Sequence, residues 1–153
     1  MDVIRPVLAL IHVGFALVYV TGYASTKTLT SLAIASPDPA RRRWLLDLSG
    51  TFDFRFQILG GTLLGPSGLL LAIASGYSLT HAWILVSIVL YAVIVFIGAG
   101  IWRRRSAMVR DALDADEDAR AIALLTDPRA RLLSWIELAL IVTVVALMVL
   151  RPG

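Results

Sequence analysis

The sequence predicts an all-α integral membrane protein: a four-helix bundle with antiparallel neighbours and short amphipathic helices in its cytoplasmic loops. Three observations lead there. Hydrophobic residues make up 58% of the 153-residue chain, where a soluble domain holds about 45–50%. Apolar stretches at about 3–23, 55–75, 81–102 and 132–150 each approach the ~20 residues that cross a bilayer. Arginines crowd the two long connections, at about 24–54 and 103–131. A single transmembrane domain over 1–153 is expected, since spans of this number leave no room for a second one.

The first span, PVLALIHVGFALVYVTGY, begins with Pro6, which suits the first turn of a helix. It is long for a signal sequence and no small-residue cleavage site follows Tyr23, so a retained span is expected. The next residues, ASTKTLTSLAIAS, are only mildly polar, so the helix is expected to run on beyond the bilayer. Asp38 and Pro39 form an N-cap and first-turn pair, and Gly50 is a candidate stop. Between them, Trp44, Leu45 and Leu48 would face the membrane, and Arg41 and Arg42 water or anionic headgroups.

The second span is rich in small residues. Gly61, Gly65, Gly68, Ala72 and Ser75 share one helix face, on which backbones can approach closely. Pro66 removes one donor and should bend this helix near mid-membrane. Gly76–Tyr77–Ser78 is a turn short enough to make the second and third spans antiparallel neighbours. WRRRS closes the third span, and a charged helical segment follows over about 106–125. Asp127–Pro128 then restarts the chain into the fourth span.

Lys27 and the arginines at 41–43, 103–105, 110, 120, 129 and 131 fall in the long connections, Arg55 at the edge of the second span, and only Arg5 and Arg151 on the other side. The positive-inside rule then predicts a multi-pass protein of the inner membrane with both termini outside the cytoplasm. Both halves read span, arginine-rich loop, span, but little residue-level similarity links them, so an inherited repeat is the less favoured reading.

The chain contains no cysteine, which excludes disulfides, iron–sulfur clusters and thiolate metal sites. Its basic pI comes from arginines beside spans, so no nucleic-acid partner is expected. His12 lies roughly 12 Å deep, at ~1.5 Å per residue, and Ser67 falls at a similar depth. A His12–Ser67 hydrogen bond is the plain reading; a haem ligand or a proton-relay member is the alternative. His81, beside Trp83, reads as an interfacial residue. Glu137 falls a little over one turn inside the fourth span, where a carboxylate needs a partner. Arg55 is the candidate, and an Arg55–Glu137 pair would fix the second helix against the fourth; a proton or substrate site is the alternative. Asp114, Asp116, Glu117 and Asp118 resemble a calcium loop only superficially, because Ala119 and Leu125 stand where Gly and Glu are required. A solvated face balanced by Arg110 and Arg120 is expected, and no metal site. No P-loop, dinucleotide fingerprint or catalytic triad spacing is present.

With LIHVGFALVYVTGY in the first span and GPSGLLLAIASGYSLTHAWILVSIVLY across the second and third, the chain resembles an uncharacterised bacterial family of predicted integral membrane proteins of unknown function. An early first-span histidine and a proline/glycine-rich second span are also similar in outline to the copper-resistance D proteins and to the small haem-binding protoporphyrinogen oxidase. The latter resemblance implies a haem ligand at His12 and haem as cofactor. Three functions stay open. The favoured one is a non-enzymatic accessory or structural subunit of a membrane assembly, in contact with the lipid bilayer and with other membrane subunits or a second copy. The others are a haem-binding redox or porphyrin-oxidising protein using His12, and a small proton-coupled transporter using Glu137 and Arg55.

Overall fold

A computed structural model describes residues 3–150; Arg151, counted above among the sparse outer charges, lies outside them. Every regular element is helical, and helices long and apolar enough to cross a membrane are Ile4–Ala35, Pro39–Ala74, Ala82–Asp114 and Pro128–Leu150. These four long apolar helices are those of a membrane helical bundle. The described chain divides into two compact units, with the boundary between His81 and Ala82.

In the first unit, α1 (Ile4–Ala35) is 32 residues long, or ~48 Å at 1.5 Å per residue. The second helix starts at Pro39, where Asp38 caps it by accepting the Ala40 N–H at 3.0 Å. It runs unbroken to Ala74 as α2 (Pro39–Phe52), a widened π segment (Asp53–Ile58) and α3 (Leu59–Ala74). Gly50 therefore does not stop the amphipathic helix, which merges into the span. A glycine ends a helix when the chain turns left-handed there, and here the tertiary contact of α2 with α1 keeps it helical. Pro66 likewise stays inside α3.

α1 packs antiparallel along α2, the π segment and α3. Small residues bring the backbones together. A Cβ on Gly22 would lie 2.5 Å from the Gln57 backbone nitrogen, and one on Gly60 2.8 Å from that of Tyr19. At the end of the hairpin Arg42 is buried, its Nε donating to the Ala33 carbonyl at 3.3 Å and its other nitrogen to that of Ser36. It takes up the Ser36 carbonyl, adds a second donor to the Ala33 carbonyl, which also accepts the Ser36 N–H at 3.2 Å, and opposes the negative end of the α1 dipole. Ser49 links the same helices, donating to the Thr26 carbonyl and meeting the Thr30 hydroxyl, both at 3.3 Å.

α3 closes on Gly76, whose φ of +77° is the left-handed conformation glycine adopts freely. The Gly76 N–H reaches Ile73 O at 3.0 Å and the Tyr77 N–H reaches Ala72 O at 3.1 Å, the paired bonds of a Schellman end.

In the second unit, α4 (Ala82–Phe96), a second π segment (Ile97–Trp102) and α5 (Arg103–Asp114) form one continuous helix. α6 (Asp118–Thr126) folds back on α5, and α7 (Pro128–Leu150) packs against α4. Another Schellman end joins α5 to α6, with Glu117 N–H to Ala112 O at 2.8 Å, but Asp116 holds the left-handed position at φ 56°. Asp127 caps α7, accepting the Arg129 N–H at 2.9 Å, and its other carboxylate oxygen takes the Arg105 guanidinium at 3.1 Å. Arg105 also donates to the Leu124 carbonyl near the end of α6. Each unit thus uses an arginine to close a helix end beside an Asp-Pro start.

Candidate functional site

His12 faces α3 because α1 and α3 are in antiparallel register, and it is buried at 8% exposure. Its Nδ1 lies 3.1 Å from Ser67 Oγ, which itself donates to the Leu64 carbonyl at 3.0 Å. With the serine proton on Leu64, a donating Nδ1–H would complete the chain from His12 through Ser67 to the Leu64 carbonyl and leave the lone pair on Nε2. The ring edge rests on Gly68, where an added Cβ would stand 2.8 Å from Cε1. A glycine at 68 is what lets a histidine sit between these helices.

The other small residues of the second span occupy different places. Gly61 lies under the Tyr19 ring, with an added Cβ 3.2 Å from Cδ2; Gly65 is half-buried; Ala72 is buried. Gly22 and Gly60, which make the closest backbone contacts, stand outside the small-residue stripe considered from sequence. Gly22 is the only glycine near the C-terminal end of the first span, a signal visible once α1 is known to pack there.

Glu137 is the most deeply buried ionisable side chain among the described residues, at 1% exposure. Its Oε2 accepts the Trp102 indole N–H at 2.9 Å. Trp102 thus does more than anchor a span end: it ties the end of the third span to the fourth. The sequence does not signal this pairing, because an indole N–H gives no sign of its acceptor. Arg55 lies in the π segment of the first unit and is exposed; Glu137 belongs to the second unit.

His81 sits in the turn before α4, where its Nδ1 donates to the Ser78 carbonyl at 2.7 Å and its ring meets Tyr77 edge-on. The acidic turn is exposed, with Glu117 paired to Arg120 at 2.7 Å. Among the described residues, no three His, Asp or Glu side chains converge as metal ligands would. Outside the spans, the Arg129 N–H and then the Arg105 guanidinium hold the Asp127 carboxyl below its ordinary range.

Long apolar helices whose buried polar side chains bond to neighbouring helices define a polytopic α-helical membrane protein. Within that class, the chain belongs to the predicted integral membrane protein family DUF2269, which it matches over residues 6–152. No curated protein and no solved structure matches it.

Proposed function

We propose that the protein is a non-enzymatic structural subunit of a larger membrane assembly, with its termini outside the cytoplasm and its arginine-rich connections inside. The observation that supports this is where the polar side chains within the spans are spent. His12 is used on Ser67 and Glu137 on Trp102, each joining one long helix to the next. Buried polar groups that bond across helices fix register and rigidify a bundle.

One observation favours a second reading. A histidine whose Nδ1–H is held by a fixed acceptor presents Nε2 as a ligand, the orientation seen in metal-bound histidines. His12 protonated on Nδ1 would have that arrangement through Ser67, and its imidazole is the group that would hold a haem. Haem there would supply redox chemistry; His12 would hold it, and Ser67 would orient the ring.

Absorption spectra and native gels in mild detergent separate these readings. The subunit reading expects no Soret band in the wild type and migration in a discrete assembly larger than the chain. A Soret band abolished by His12→Ala would establish the haem reading in its place. A folded Glu137→Gln variant that assembles normally but loses proton uptake into proteoliposomes would sink both. The orientation is checked by single-cysteine labelling, which the cysteine-free sequence leaves without background.

A further inference from the structure

Lipid accounts for the apolar side chains along the spans, but not for those on the part of the first hairpin that projects past them. The hydrocarbon core takes ~20 residues of helix, whereas α1 and the helix packed on it are 32 and 36 residues long. The excess lies at 24–35 and 39–54, beyond Tyr23 on one helix and before Arg55 on the other. Leu32 is 52% and Trp44 60% exposed. At ~1.5 Å per residue, they stand roughly 13 and 16 Å outside those boundaries, farther than the ~5–7 Å of headgroup on each side.

The two exposed residues continue a groove. It has a volume of about 400 Å³ and is lined by Ala24, Ser25, Thr28 and Leu29 of α1 and Leu48 and Phe52 of α2. On α1, Ser25, Leu29 and Leu32 recur at helical spacing, and on α2 so do Trp44, Leu48 and Phe52. Phe52 is held by stacking on Phe56, ring centroids 5.2 Å apart. Arg41, one turn before Trp44 on α2, and Arg55, in the π segment that follows Phe52, stand at the two ends of this stretch, both exposed. An apolar valley between two helices, with a cation at each end, matches the apolar ridge and acidic flanks of a third helix.

We infer that this face of the α1–α2 hairpin docks an acidic amphipathic helix of a partner protein. The partner's apolar ridge packs on Leu29, Leu32, Trp44 and Leu48, and its carboxylates meet Arg41 and Arg55. The inference rests on the subunit reading above and specifies the surface through which the assembly forms.

The test places a benzophenone amino acid at Thr28 or Leu48 of the full chain, irradiates cells and identifies the adduct by mass spectrometry. The expected adduct is a discrete protein, joined through a segment with acidic residues flanking a helical apolar stripe. Trp44→Ala should reduce it about thirtyfold, as loss of a central aromatic anchor does. Arg41→Glu with Arg55→Glu should also reduce it, while thermal unfolding of the purified variants stays unchanged. Adducts with phospholipid alone, with a second copy of this chain, or with a non-acidic segment would overturn the docking proposal. A large assembly on native gels that persists with Trp44→Ala would overturn it too, yet leave the subunit reading standing. The absence of any assembly would end both.

Discussion

Replacing Gly22 with alanine tests whether close backbone contact holds the first unit together. The new methyl would stand 2.5 Å from the Gln57 backbone nitrogen, 2.8 Å from Phe56 Cβ and 2.9 Å from Phe56 carbonyl carbon. Carbon atoms rest at about 3.5–4.0 Å, so the helices must part by roughly an ångström. None of the three atoms is the far end of a flexible side chain, so no rotamer change relieves the clash. Overpacking of this kind costs about 1–3 kcal/mol. Gly14 supplies the control on the same helix: an added Cβ meets nothing within 4 Å, and Gly→Ala there should gain about 0.5–1 kcal/mol of helix propensity. Gly22→Ala is expected to be less stable than Gly14→Ala by about 1.5–4 kcal/mol, measured by reversible unfolding in mixed micelles. The hairpin should also become more susceptible to protease across 36–38. If both substitutions stabilised equally, the close approach of α1 to the π segment would be wrong.

Two further outcomes follow from the second unit. The lowered Asp127 carboxyl contributes stability that is fully present above its unfolded pKa of about 3.9 and is lost as pH falls through the folded value. Asp127→Ala should therefore reduce stability at neutral pH and flatten the acid limb of a thermal-unfolding profile; an unchanged acid limb would remove the cap. Asp116→Gly should stabilise by about 0.5–1 kcal/mol, because a glycine takes the left-handed conformation at φ 56° without cost from a side chain. A destabilised variant would show that the Asp116 side chain does more than occupy the turn.

Hydrophobic length and the placement of arginines are one-dimensional properties, and the sequence by itself determined from them an all-helical protein with four apolar helices long enough to span a membrane. The Asp38–Pro39 start was readable for the same reason, since a cap needs only its own first turn. Even the His12–Ser67 bond was accessible, because depth along a span can be counted residue by residue. Rotation and register between helices cannot be counted that way. The tertiary structure alone decided that Gly22 and Gly60 make the backbone contacts, that Gly50 stays helical, that Arg42 turns inward and that Trp102 serves Glu137. Each depends on which faces two helices present to one another, and small residues on several faces of a span leave that choice to the packing of the whole unit.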